Sequence, residues 1–272
     1  MACSADYFII DNKVYPTKEF NISELEKGIS IYEVVKVIDS TPLFTEEHIK
    51  RLHESAKIKN LKVWVEDKFI NEQVEKLIKI NSVKKGRLKF ALRYDQSGNK
   101  LICFYLQSIE PKAEVYKKGV KIISEKIERV NPNAKVINYK LRKLVKKIIT
   151  KENAFETLLV SKTGKITECS KSNIFFIKEN SVYTSHSKDV LKGITRDYIF
   201  DICKKNNIPL IEKDIYSEEI SNYDSVFISG TSIGVLAVNQ IDSIVFSKNN
   251  GLLKLISDNY FEIVNNYIAL KS

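Results

Sequence analysis

The sequence predicts an α+β fold in two domains. Runs rich in β-branched and aromatic residues occur in both halves, stretches with helical spacing of apolar residues lie among them, and hairpin signals are prominent. Near the middle, Glu110-Pro111-Lys112-Ala113-Glu114 has no periodicity and reads as a linker. The domains are therefore drawn as 1–110 and 118–272, with 111–117 between them, and 272 residues give both an ample core.

Tyr7-Phe8-Ile9-Ile10 and Ile29 to Ile38 have strand composition. Thr45-Glu46-Glu47 then offers a cap and an acidic first turn, and Ile49, Leu52 and Ala56 mark one face of the helix it opens. A second helix spans Val65 to Ile80, with Phe69, Val74, Leu77 and Ile78 inward. Arg87 to Tyr94 and Lys100 to Gln107 flank Ser97-Gly98-Asn99, a hairpin signal. In the second half come a strand at Val120 to Ser124, a helix from Asn138 to Asn153, and a strand meander from Phe155 to Thr184. Further helices fit Arg196 to Asn206 and Leu252 to Ala269.

Composition narrows the function classes. With 43% hydrophobic and 29% charged residues the chain is globular rather than disordered. No apolar run approaches the roughly 20 residues that span a bilayer. The start, Met1-Ala2-Cys3-Ser4, has no basic flank and no apolar signal core, so a cytoplasmic protein is expected. Cys3, Cys103, Cys169 and Cys203 form no CxxC pair, and only His48, His53 and His186 accompany them, so no metal site is expected. The net charge of +10 comes from lysines that alternate with acids, as in Glu125-Lys126-Ile127-Glu128-Arg129. Without a nucleic-acid-binding signature, this is a solvated surface suited to anionic ligands, and no nucleic-acid partner is expected.

The chemistry concentrates in Thr167-Glu168-Cys169-Ser170-Lys171-Ser172-Asn173-Ile174-Phe175-Phe176 and Leu191-Lys192-Gly193-Ile194-Thr195-Arg196. The first ends a short strand on a carboxylate. The second opens a helix whose free N–H groups and dipole suit a phosphate. A carboxylate beside a phosphate site can pair with a protonated ring nitrogen on the same cofactor. Pyridoxal 5′-phosphate needs both contacts and one lysine.

These segments, with Ile31-Tyr32-Glu33-Val34, His48-Ile49-Lys50-Arg51-Leu52 and Lys135-Val136-Ile137-Asn138, stand in the order found in fold-type IV pyridoxal-phosphate enzymes. The chain resembles that family, which holds branched-chain and D-amino-acid aminotransferases and aminodeoxychorismate lyase. The resemblance implies a small α/β sandwich domain, a larger pseudo-barrel domain and a cofactor at their junction. It also implies a homodimer acting on an amino donor and a 2-oxo acid acceptor, with a branched-chain-like donor foremost. The alternative is 4-amino-4-deoxychorismate lyase, which releases pyruvate and 4-aminobenzoate.

Two lysines compete for the cofactor aldehyde. Lys140, Lys143, Lys147 and Lys151 form one polar stripe opposite Leu141, Leu144, Val145 and Ile148, which explains Lys140 as a solvated helix residue. Lys135 begins the family-like lysine-x-x-asparagine and stands 33 residues before Glu168, close to the family's separation. It is the catalytic candidate, with a surface loop lysine as the bland account. The resemblance implies that Glu168 faces the pyridine nitrogen and that Tyr139 bonds the phenolic oxygen, a half-buried helix tyrosine being the alternative. It also implies that Arg51, Ile194, Thr195 and the Gly230-Thr231 loop bind phosphate, with Gly193 allowing a close approach and Asn173 among the cofactor-binding residues. Leu191 packs on the ring or simply in the core.

For substrate, Tyr32 takes the family's pocket-lining position. Lys89 stands where the lyase has a substrate-binding lysine, although an alternating surface strand would also contain it. The arginine-x-histidine clamp of D-amino-acid aminotransferases is missing from Arg93-Tyr94-Asp95-Gln96-Ser97-Gly98-Asn99.

Overall fold

The computed structural model describes residues 3–107 and 111–271. The chain forms two compact units, one of Met1–Glu110, Ala134–Asn138 and Val264–Ser272, the other of Pro111–Asn133 and Tyr139–Ile263. Glu110, where the sequence ends the first domain, and Met1-Ala2 lie outside the described residues.

The first unit contains β1 (Cys3–Ile10), β2 (Lys13–Pro16), β3 (Ile29–Ile38), β4 (Thr41–Pro42), α1 (Thr45–Ile58), α2 (Asp67–Asn81), β5 (Lys85–Tyr94) and β6 (Lys100–Leu106). Its strands pair antiparallel in the order β2-β1-β6-β5-β3-β4. Alternation decides the faces. Ile31, Val35 and Val37 of β3 and Leu88, Phe90 and Leu92 of β5 pack with Ile49, Leu52 and Ala56 of α1 and Val74, Leu77 and Ile78 of α2. Tyr32, Lys89 and Phe104 belong to the opposite alternation, where Lys89 registers with Val34 and Phe104.

Thr45 is the first helical residue and not the expected cap: the N-cap is Phe44, with no side-chain capping bond, and the Thr45 hydroxyl donates to the Pro42 carbonyl at 3.3 Å. Phe44 is left-handed (φ 55°), held by burial and by Tyr267, whose ring centroid lies 4.8 Å away.

The second unit contains α3 (Ala113–Lys118), β7 (Val120–Lys126), α4 (Tyr139–Lys151), β8 (Glu156–Val160), β9 (Lys165–Cys169), β10 (Asn173–Lys178), β11 (Ser181–Thr184) and α5 (Ile194–Lys205). It continues through β12 (Leu210–Glu212), β13 (Ile215–Tyr216), β14 (Ser225–Gly230), β15 (Gly234–Ile241), β16 (Ile244–Val245) and α6 (Gly251–Lys271), whose last residues group with the first unit. The sheet order is β12-β11-β10-β14-β15-β7-β8-β9-β13, with β16 on β15. The pairs β11·β12, β15·β7 and β7·β8 are parallel. Strands β8, β10 and β14 are buried almost throughout, as apolar runs covered on both faces should be. Within the stretch read as linker, α3 forms, packing Val115 and Tyr116 on the second unit's core and closed by a Glu114–Lys118 pair at 2.5 Å and by Gly119 at φ 72°. No helix among the described residues is long and apolar enough to cross a membrane.

Candidate active site

In the first unit, Lys135 is fixed by its main chain. Tyr32 N–H donates to the Lys135 carbonyl (3.1 Å), Ile137 N–H donates to the Ser30 carbonyl (2.9 Å), and Val136 bridges antiparallel to Ile31. The Lys135 N–H donates to the Ser55 hydroxyl of α1 at 3.0 Å, and Ser55 is fully buried. The segment therefore lies along β3, and the Lys135 amine stands 5.1 Å from the Tyr32 ring centroid. Lys89 reaches the same ring at 4.5 Å and is 1% exposed, so its stem and head are both withdrawn from water. Tyr32, Lys89 and Lys135 thus come together, whereas Lys140 lies exposed on α4.

Arg51 has a different surrounding. Its Nε donates to Glu33 Oε1 at 2.8 Å and its Nη2 to Oε2 at 2.5 Å, while His48 Nδ1 lies 2.7 Å from Oε2. Glu33 and His48 are fully buried and Arg51 nearly so. Burial alone would raise the Glu33 carboxyl, but the Arg51 charge and the bonds from Arg51 and His48 outweigh it and hold the group at about 2. Burial pushes the His48 imidazole below its ordinary value, against Glu33 and with help from the Arg51 and Lys135 charges. His48 Nδ1–H therefore donates to an ionised Glu33.

In the second unit, Glu168 stands at the end of β9, 3% exposed. Arg129 Nη1 lies 3.3 Å from Glu168 Oε1, and Leu191 N–H donates to Oε2 at 3.2 Å. The turn beyond Glu168 is tied to buried Glu156, whose Oε1 accepts from the Ser170 hydroxyl and from Thr157 N–H. Asn173, 5% exposed, spends its amide N–H on the Leu191 carbonyl (2.9 Å) and presses Oδ1 against Gly193, where a Cβ would come within 2.2 Å. Gly193 is the N-cap of α5 and brings no side-chain cap to the first turn. Thr195 is 1% exposed, its hydroxyl 3.2 Å from that of Tyr260. Gly230 closes β14 opposite Gly234, and Ile233 N–H returns to the Gly230 carbonyl at 3.0 Å, leaving Thr231 in the turn. Tyr139 is the first residue of α4 and half-buried.

Glu33, Ser55, Arg129 and Glu156 received no role from the sequence. Glu33 had left a signal: it falls in the inward phase of β3 between Ile31 and Val35, and a charge there demands a buried partner. Arg129, in a run of mixed charges, left none.

The chain belongs to the class IV aminotransferases, whose family model matches residues 30–241. It is a pyridoxal-phosphate-dependent enzyme that moves an amino group from an amino acid to a 2-oxo acid. It is similar to the D-alanine aminotransferase of Listeria monocytogenes, 30% identical over 232 residues that cover 80% of each chain. It is also similar to the probable branched-chain-amino-acid aminotransferase of Rickettsia felis, 27% identical over 229 residues and 78% of each. In fold it matches a branched-chain amino acid aminotransferase solved with pyridoxamine 5′-phosphate, with a TM-score of 0.86, 21% identity, and 97% of this chain and 96% of that one covered. The branched-chain amino acid aminotransferase from Escherichia coli matches with a TM-score of 0.82 and 23% identity, covering 96% of this chain and 94% of that one. Within the second unit an uncapped helix start suits a phosphate and a buried acid beside a guanidinium suits a ring nitrogen; within the first, by itself, an amine stands on a fixed main chain.

Proposed function

We propose that this chain transaminates a small neutral amino acid of the branched-chain kind, with Lys135 as its catalytic residue. When bound, the cofactor supplies an aldehyde that takes up the amino group and a ring that draws electrons from the substrate α-carbon. The Lys135 amine would hold that aldehyde and, once released by the incoming substrate amine, would carry a proton to and from the substrate α-carbon. Glu168 would pair with the protonated ring nitrogen, Tyr139 would donate to the phenolic oxygen and Leu191 would cover the ring. Ile194 and Thr195, the Gly230-Thr231 turn and Arg51 take the phosphate, with Asn173 and Gly193 shaping the helix start. Tyr32 lines the substrate pocket, and Lys89 anchors a substrate carboxylate.

The observation that carries this is the registration of 134–138 on β3, which stands the half-buried Lys135 amine over Tyr32 beside the buried Lys89. The donor choice draws support from Arg93. Its guanidinium is engaged by Glu24 at 2.7 Å and by the Gly98 carbonyl at 3.0 Å, so no D-amino-acid clamp is built there. A second reading, transamination of D-alanine, is favoured by the 30% identity to the Listeria monocytogenes enzyme. The aminotransferase names of these relatives favour transfer over the lyase reaction. A cytoplasmic homodimer belongs to the same proposal.

The test is a panel of L- and D-valine, leucine and alanine with 2-oxoglutarate, plus aminodeoxychorismate alone. Turnover of L-valine or L-leucine is expected. Turnover of D-alanine alone selects the second reading, and pyruvate from aminodeoxychorismate without an acceptor overturns both. Sedimentation of the holoenzyme as a monomer would remove the dimer.

A further inference from the structure

Beside Glu168 stands a cation with two tasks. Through Nη1, Arg129 faces Glu168 Oε1 at 3.3 Å. Through Nη2 it donates to the Ser170 carbonyl, and it reaches the Cys169 carbonyl at 3.5 Å. One planar guanidinium therefore grips both the acid and the two residues after it. That fork is rigid in a way an ammonium is not. The main chain of Leu191 holds the other carboxylate oxygen at 3.2 Å, so Glu168 is clamped from two distant segments.

We propose that Arg129 is a positioning residue that keeps Glu168 ionised and aimed, so that the acid can hold a proton on the cofactor's ring nitrogen. This rests on the assignment of Glu168 under the proposed function. Two other groups that feel this carboxylate are Arg196, itself paired with Glu212 at 2.7 Å, and the Cys169 thiol, which burial and the nearby acids Glu156 and Glu168 keep protonated. Arg129 lies in ion-pair range of Glu168. An acid that lost this neighbour in a nearly dry site would take up a proton itself, and a protonated carboxyl cannot hold the ring nitrogen as a pyridinium.

Arg129→Gln separates charge from scaffolding, because its amide can still donate to the Ser170 carbonyl. The first readout needs no cofactor: carbon-13 titration of the Glu168 side chain in apoprotein, assigned by comparison with Glu168→Gln. The midpoint is expected to rise by about one pH unit or more in Arg129→Gln and to stay within half a unit in Arg129→Lys. The second readout is the nitrogen-15 shift of ring-labelled cofactor, expected to move toward the unprotonated value in Arg129→Gln and back in Arg129→Lys. Unchanged midpoint and nitrogen shift in Arg129→Gln overturn the proposal. If Arg129→Gln does not fold, the lysine variant decides: a midpoint raised by a unit despite the retained charge also overturns it. If borohydride leaves no pyridoxyl group on Lys135 of the unaltered enzyme, the proposed function fails, while the apoprotein titration still reports on Arg129 and Glu168.

Discussion

Arg51 and Glu33 form a two-point ion pair in the interior of the first unit, at 2.8 and 2.5 Å. The strand residue and the helix residue are 18 positions apart, and His48, one turn earlier on α1, bonds the same carboxylate. Any phosphate that Arg51 receives thus meets a cation already shared with an acid. Glu33 sets the direction of the guanidinium.

Removing Glu33 should expose what that pair contributes. Its folded-state value of about 2 lies below the ordinary 4.5, so the stabilisation is fully present above pH 4.5 and is lost as pH falls toward 2. The window is worth about 3 kcal/mol. Glu33→Gln leaves Arg51 buried without its counter-charge, and a loss of roughly 3–5 kcal/mol at pH 7 is expected. Urea midpoints at pH 7 and pH 3 check this: the gap between variant and parent should narrow in acid. A gap of constant width would assign the loss to packing.

Lys135→Ala should remove the borohydride-trapped pyridoxyl group and lower kcat by at least about 10³-fold. Lys140→Ala should keep both, with stability within about 0.5 kcal/mol. Peptide mass spectrometry after reduction decides between them, and an adduct at position 140 would reverse the choice.

Gly193→Ala tests the helix start. The backbone at Gly193 (φ −79°) accepts alanine, but the new Cβ would sit 2.2 Å from Asn173 Oδ1. Asn173 must move, loosening its hold on Leu191, at a cost of about 1–3 kcal/mol. Cofactor retained through gel filtration should fall, and adding Asn173→Ala should recover part of the stability. Retention equal to the parent would take this corner out of cofactor binding.

The thiols give an independent check on burial. Burial pushes Cys203 up to about 11 and raises Cys103 and Cys169 as well, while Cys3 is half-buried. Iodoacetamide at pH 8 should modify Cys3 first and leave Cys169 intact until the protein unfolds. Labelling of Cys169 as fast as Cys3 would mean that the β9 end opens readily.

Where hydrophobic periodicity was strong, the sequence was enough. Strand β3 begins and ends where alternation does, and the Gly98 hairpin joins β5 and β6 in the register Arg93↔Lys100. Strands of two to four residues, such as β2, β12, β13 and β16, carry too little pattern to be seen, being made by their partners. Helix α5 starts at Ile194, two residues before the sequence suggested, because Gly193 can cap without a side chain. The candidate site positions were picked out because each sits in a short segment of distinctive composition. Arg129 and Glu156 were not, because their roles depend on distant residues that only folding brings near.

Lys135 is stitched to Tyr32 and Ser55, and Ile137 beside it to Ser30, although more than twenty residues of the second unit's chain precede this segment. A nascent chain halted near position 110 would hold a receiving strand with no reactive amine. The centre can mature only after translation has passed Asn138, so a protein dissected at the middle should regain its amine site only when both fragments are mixed.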